Sequence, residues 1–247
     1  MATRTVLEYV QQCLSTMDSD LVDSINETAE AVQVADLLRE NYLELMNRQD
    51  WEFLKRAVTL TPAADPAMPT RFDAPQGLRK LSNLWYNVSE SGVSRRELKY
   101  VDPVEFLNRL ASGDAESNKV LTTYGTQLQF YVRNDRMPTF YTTFDDRRVF
   151  LDSYDASVEA TVQGNRVSAW GVVIPDFVVE DGHTPDLPEH MVPLLQATLN
   201  STAHLYFKQQ ASAPDEARVR RQLAQARKRN SIVADREHYY VNNFGRR

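Results

Sequence analysis

Ala31, Val34, Ala35, Leu38, Tyr42 and Leu45 recur at intervals of three and four residues, which lays one apolar stripe along a helix. The tetrapeptide "SINE" sets its expected start, with Ser24 as N-cap and Glu27 completing a capping box, and the pattern fades near Asp50. At ~1.5 Å per residue such a helix is roughly 37 Å long. A helix before it, over Arg4–Met17 with Val6, Val10, Cys13, Leu14 and Met17 as its stripe, is too short to cover that length. The missing partner must come from far along the chain.

The helical period returns only in "DLPEHMVPLLQATLNSTAHLYFKQQ", where Met191, Leu194, Leu195, Thr198, Thr202 and Leu205 fall in register. Pro193 sits early enough to be accommodated in the first turn. A last helix is expected from about Pro214 through "ARVRRQLAQARKR", and "HYYVNNFGRR" beyond it reads as an extended tip. The outer helices then pair across everything between them.

Between them the period changes to two. In "QLQFYVR" Leu128, Phe130 and Val132 alternate with Gln129, Tyr131 and Arg133, and "TFYTTF", "RRVFLDSY" and "NRVSAWGVVI" continue in that style. That pattern predicts an antiparallel sheet with one wet face. "LRKLSNLWYNV" and "RELKYV" read as a strand pair. "DPVEFLNRLASG" reads as a short helix with Asp102 as N-cap, Pro103 at the first position, Glu105 closing a capping box and Gly113 past the end. The expected fold is therefore α+β: a four-helix-type bundle formed by the N- and C-terminal helices, an inserted antiparallel β-rich subdomain, and an extended C-terminal arm. The expected parts are 1–55 for the first helices, 56–185 for the β-rich part with its short helix at 103–112, 186–236 for the later helices and 237–247 for the arm.

No run approaches the roughly 18 apolar residues of a membrane span, so no membrane partner is expected. The start, "MATRTVLEYVQQ", has no basic segment leading into an apolar one, and the single cysteine cannot form an internal disulfide; both suit a cytosolic site of folding. Charge is unevenly spread over a net −6. From Pro214 onward nine basic residues face four acidic ones, a surplus of +5 that leaves −11 on the rest. A basic arm on an acidic body suggests an interaction tail.

The chemistry-bearing residues do not assemble into a reaction centre. Asp145, Asp146, Asp152 and Asp155 could in principle hold a divalent metal. Arg147 and Arg148 stand among them, however, and neighbouring strand residues point to opposite faces. "PDFVVEDGH" opens like a nuclease motif, yet Gly182 stands where its lysine would be. His183 and His190 lack a third ligand at short spacing. There is no G-x-S-x-G elbow, and the eight glycines form no phosphate-binding loop. The reading is no enzyme, no metal and no cofactor.

"RNDRMPTFYTTFDDRRVFLDSYDASVEATVQGNR", together with "LEYVQQCLSTMDSDLVDSINETAEAVQVADLLRENYLELMNRQDWEFLKR", resembles the head-to-tail adaptor (connector) proteins of short-tailed bacteriophages, related to the tail tubular protein A group. The likeness spans nearly the whole chain, and "PTFYTTFDD…DSYD" is its most distinctive block. It implies a structural virion protein, assembled in the host cytoplasm and placed at the portal vertex. Family members form a ring, typically of twelve copies, between the portal protein and the tail nozzle (tail tubular protein B-like), and the double-stranded genome passes through without sequence-specific binding.

They also commonly send a C-terminal segment against the portal. Tyr239, Tyr240, Phe244, Arg246 and Arg247 stand in the matching place. Candidates for contact between copies are Phe140, Tyr141, Phe144, Asp145, Asp146, Arg147, Arg148, Tyr154 and Asp155, since Tyr and Arg are favoured at interfaces. Two other classes remain open: a virion-associated enzyme that degrades peptidoglycan, with Glu105 and the same aspartates as its only acids, and a DNA-binding packaging accessory protein that uses the Arg-rich helix.

Overall fold

The computed structural model describes residues 4–88, 94–111, 118–125, 128–209 and 212–242, with backbone only over 235–242. The chain divides into two compact units. One joins Met1–Phe53 to Pro175–Arg247, and the other is the continuous stretch Leu54–Ile174.

The helical unit contains α1 (Val6–Thr16), α2 (Ala29–Asn47), α4 (Val192–Lys208) and α5 (Ala213–Asn242). α1 opens with a capping box in which the Thr5 hydroxyl accepts from the Glu8 amide and the Glu8 carboxylate accepts from the Thr5 amide. Val6, Val10, Cys13 and Leu14 are buried, as their spacing requires. α2 starts later than the "SINE" motif suggests. Thr28 is its N-cap, bonded to the Ala31 amide at 3.1 Å. Ser24 is drawn off by Asp181, whose carboxylate accepts from the Ser24 hydroxyl at 2.9 Å and from the Ile25 amide at 2.8 Å. Glu27 accepts instead from the Asp23 amide. A capping box exists only if nothing competes for its two side chains, and here a carboxylate from a distant segment wins.

α4 is the partner that the long stripe demands, packing against both α1 and α2. Its buried side is Leu194, Leu195, Gln196, Ala197, Leu199, Asn200 and Ala203, while Leu205, expected inside, is 58% exposed. Thr202 receives the Asn41 side-chain amide of α2 at 2.7 Å. The buried polar pair is satisfied locally, because the Gln196 amide donates to Asn200 Oδ1 at 2.9 Å.

The expectation of a four-helix-type bundle does not hold; the protein is mixed α+β with a large sheet. A bundle needs four helices that each send a stripe into a common core. α5 also packs on α4, but Ala226 is its only fully buried side chain among the described residues. The extended arm is corrected as well: the helix continues through Asn242, so 237–242 are helical. After Pro214 the sequence has neither proline nor glycine until Gly245, so nothing in it stops the helix earlier.

The β unit holds β1 (Lys55–Val58), β2 (Thr61–Pro62), β3 (Arg71–Asp73), β4 (Leu78–Asn87), β5 (Arg95–Tyr100), α3 (Pro103–Ala111), β6 (Lys119–Tyr124), β7 (Leu128–Arg133), β8 (Phe140–Thr143), β9 (Arg148–Leu151) and β10 (Val167–Val173). Eight strands form one sheet in the order β1-β10-β4-β5-β8-β9-β3-β2, and β6 and β7 pair separately. The sheet is mixed rather than antiparallel, because β5 and β8 run parallel, with Lys99 opposite Phe140. The expected pairing of β4 with β5 forms, with Leu84 opposite Leu98. In α3 the Asp102 carboxylate accepts from the Val104 amide at 2.9 Å, while Glu105 turns to Arg109 at 2.5 Å instead of back to the cap; Gly113 lies outside the described residues.

The register between β10 and β4 slips at Trp170/Gly171 and again at Val172/Val173. A Cβ on Gly171 would stand 2.6 Å from the Lys80 carbonyl oxygen, a backbone atom that cannot swing aside. Gly171→Ala is therefore expected to destabilise the protein by about 1–3 kcal/mol, read as an earlier midpoint in urea unfolding.

Candidate interaction surface

The stretch from Arg133 to Asp155, which concentrates acids, arginines and aromatics, folds as two strands and two turns of the β unit. Its aromatics are mostly core. Phe144 lies 5.2 Å from Phe150, 5.0 Å from Tyr124 and 5.8 Å from Phe130 between ring centroids, so four rings make one nucleus. Phe106 of α3 meets Phe130 and Phe144 edge-on. Tyr141 and Tyr154 are buried as well, at 5% and 6% exposed. Phe140 is half-buried beneath the Arg109 guanidinium, 4.5 Å from its ring. Of the nine residues proposed for contact between copies, only Asp145, Asp146 and Arg147 are exposed, the Asp145 side chain to 29%, with Phe140, Phe144, Arg148 and Asp155 half-buried.

The aspartates hold turns. Asp145 accepts from the amides of Arg147 and Arg148 at 3.1 and 2.9 Å and from the Tyr124 hydroxyl at 2.9 Å. Those donors outweigh its partial desolvation and hold its carboxyl below the usual value. Asp152 accepts from the Thr139 and Phe140 amides at 2.8 and 2.9 Å, tying the start of β8 to the end of β9. Burial pushes its carboxyl up despite those bonds. Asp155 closes its own turn on Ser157. Asp135 sits between Arg133 at 2.7 Å and Arg136 at 3.5 Å, and the Arg133 hydrogen bond brings its carboxyl down to about 2.

Asp146 caps the β8–β9 turn with φ +57°, a left-handed conformation that Asp tolerates better than most residues. On one side of it opens a groove of about 320 Å³ lined by Leu78, Lys80, Tyr100, Tyr141 and Thr143. On the other a second concavity of about 440 Å³ runs along Ala74–Leu78 to Arg147. Asp146 and Arg147 thus stand exposed at the edge of two concavities that share Leu78.

The other sites considered do not converge. Cys13 is buried, its thiol pushed up to about 12 by desolvation, and it offers no thiolate nucleophile. His183 rests on Phe177 at 5.2 Å, while His190 faces a different cavity, where burial and then Arg229 lower its pKa. Among the described residues no group of three His, Cys, Asp or Glu is placed to hold a metal, and no helix is long and apolar enough to cross a membrane. Tyr239 and Tyr240 lie on the helical backbone of α5, and Phe244, Arg246 and Arg247 lie outside the described residues.

Sequence reading missed two groups that organise this surface. Tyr124, on β6, anchors Asp145 and stacks under Arg148 at 5.7 Å. Arg109, on α3, covers Phe140. The aromatic and acidic residues were visible as types, but which of them meet depends on pairings absent from local spacing. The chain matches no protein-family model, and no curated protein matches it.

Two outcomes test the division between turn-holding and tip acids. Asp152→Ala leaves two backbone amides short of their acceptor and is expected to cost about 1–3 kcal/mol, whereas Asp146→Asn, which tolerates the left-handed φ of +57° as Asp does, is expected to stay within about 0.5 kcal/mol, both by urea unfolding. Asp135 has its folded pKa at about 2, below the ordinary 3.8. Its contribution is complete above 3.8 and is lost as the pH falls towards 2. Between those pH values the wild-type unfolding free energy is expected to fall more steeply than that of Asp135→Asn.

Proposed function

We propose that this chain is a structural virion protein, a head-to-tail adaptor whose copies form a ring joining the portal to the tail nozzle, with the genome passing through its channel. The observation that carries the reading lies in the block most like that family. Asp135, Asp145, Asp152 and Asp155 are engaged as struts for turns and as partners of arginines. A pair of carboxylates that share a proton and face a substrate would need the opposite environment. What the block turns outward is a charged tip between two grooves, suited to contact with another protein.

α5 supports the same reading. At ~1.5 Å per residue its thirty residues extend roughly 45 Å, and among its described side chains only Ala226 is fully buried. A polar helix of that length normally bridges to something beyond its own core. In an adaptor it carries Tyr239 and the residues after it towards the portal. Localisation in the virion at the portal vertex follows from this role.

The peptidoglycan-degrading alternative would need an acid pair about 5–9 Å apart across a glycan cleft. Glu105, one of its few candidate acids, is held by Arg109. Incubation of the purified protein with cell walls distinguishes the two, since release of soluble glycan fragments would displace the adaptor reading.

Purified chain mixed with portal is expected to co-sediment as a closed oligomer. A chain lacking residues 239–247 is expected to keep its helical circular dichroism and bind the portal at least about tenfold more weakly. Equal binding by the truncated chain would remove the portal contact from the C-terminus. No binding by the intact chain would remove the adaptor reading altogether.

A further inference from the structure

Two helices of one unit turn opposite charges outward. On α2, Gln33, Asp36, Glu40 and Glu44 form an exposed stripe at helical spacing, and the turn before it adds four more exposed acids between Asp18 and Glu27. Over Asp18–Glu44 the sequence contains one basic residue, Arg39. On α5, Arg218, Arg221, Gln225, Lys228 and Ile232 form an exposed stripe at the same spacing, with Arg220, Arg227 and Arg229 exposed on its flanks. α4 packs against both helices.

Each stripe is strained by its own company. Like charges three and four residues apart on a helix repel by a few tenths of a kcal/mol per pair. Local pairs relieve only a part: Glu44 meets Arg48 at 2.6 Å, and Arg220 meets Glu216 at 3.3 Å, each on its own helix. The two faces are complementary in sign and in shape of helix, and both carry apolar pieces. Leu21 and Val32 are 73% and 38% exposed beside the acids. Ile232 and Val233 are each 46% exposed beside the cations, and Val233 borders a cavity of about 240 Å³ formed with Trp51, Phe53 and His190. Apolar contacts framed by charge are the ordinary anatomy of a protein interface.

We propose that the acidic face of α2 in one copy docks on the basic face of α5 in the next copy. The proposal rests on the adaptor reading and adds the contact that closes the ring. Because the two faces differ, the contact is heterologous: it repeats head to tail and ends only when the rotation returns to the first copy. Charge sets the register and speeds encounter, and the apolar side chains between the charges hold the docked copies together.

The test uses two charge-reversed full-length chains, one with Asp36→Lys and Glu40→Lys, the other with Arg221→Glu and Lys228→Glu. All of these positions are exposed, and circular dichroism checks that each chain folds. By sedimentation velocity at low salt, the wild type is expected to self-associate, more weakly as salt rises. Each variant alone is expected to associate at least about tenfold more weakly, because two like-charged faces must meet. An equimolar mixture is expected to regain association, since the two reversed faces match each other and the two native faces match as well. The chain carrying all four substitutions is expected to associate like the wild type.

Wild-type association by either variant alone, no recovery in the mixture, or a wild type that stays monomeric would each overturn the contact. Assembly of both variants on the portal as efficiently as the wild type would remove this contact and leave the adaptor reading standing. If Arg221→Glu with Lys228→Glu abolishes salt-dependent binding of a random-sequence duplex and leaves self-association unchanged, the basic face belongs to nucleic acid and the proposal falls.

Discussion

β1 lies against β10, with Lys55 opposite Val172 and Val58 opposite Ala169, so the first and last strands of the β unit are hydrogen-bonded neighbours. The rest of the architecture depends on that pairing. Closing an unstructured insert of this length would cost roughly 4 kcal/mol in chain entropy. Here the sheet itself brings the ends together, and the chain can leave the helical unit after Phe53 and rejoin it at Pro175. α4 then supplies the apolar surface that α1 and α2 lack. Gly171, in β10, is part of the same device, because only a residue without a side chain lets β10 come this close to β4.

The two units use their acids in opposite ways. In the β unit the carboxylates of Asp145, Asp152 and Asp155 point into turns and hold backbone amides, so the negative charge there is structural. In the helical unit the acids of α2 and the cations of α5 face solvent. Composition alone records only a small net charge. Its division between inward struts and outward stripes gives the molecule rigid turns in one unit and two unlike surfaces in the other.

Helices with their signals close at hand were legible in the sequence. The Asp102 cap of α3 and the stripes of α1 and α2 stood in the local sequence, whereas the Thr5–Glu8 capping box of α1 was not read there and Glu105 of α3 turns to Arg109 instead of the cap. Reading failed where a distant residue intervened. Ser24 looked like a cap until Asp181, far along the chain, took its hydroxyl. β8 and β9 looked half wet, yet Tyr141, Thr142, Val149, Phe150 and Leu151 are all buried, because their neighbours cover both faces. The parallel pairing of β5 with β8 left no local trace at all. The end of α5 departs from expectation for a different reason: "HYYVNN" has no apolar stripe, yet no breaker follows until Gly245 and the helix runs on through Asn242. For the candidate surface, the residue types of the β8–β9 turn were visible in advance, while the inward fate of its aromatics was decided by rings from α3, β6 and β7.

The separation of α2 from α4 along the chain also governs how the protein is made. α2 leaves the ribosome about 145 residues before α4 begins. At synthesis rates of roughly 5–20 residues per second its oily side stays uncovered for some seconds to half a minute, while the sheet is already able to form. Chaperones that shield nascent helices therefore have a defined window in which to act, and it closes when Leu194 and Leu195 emerge.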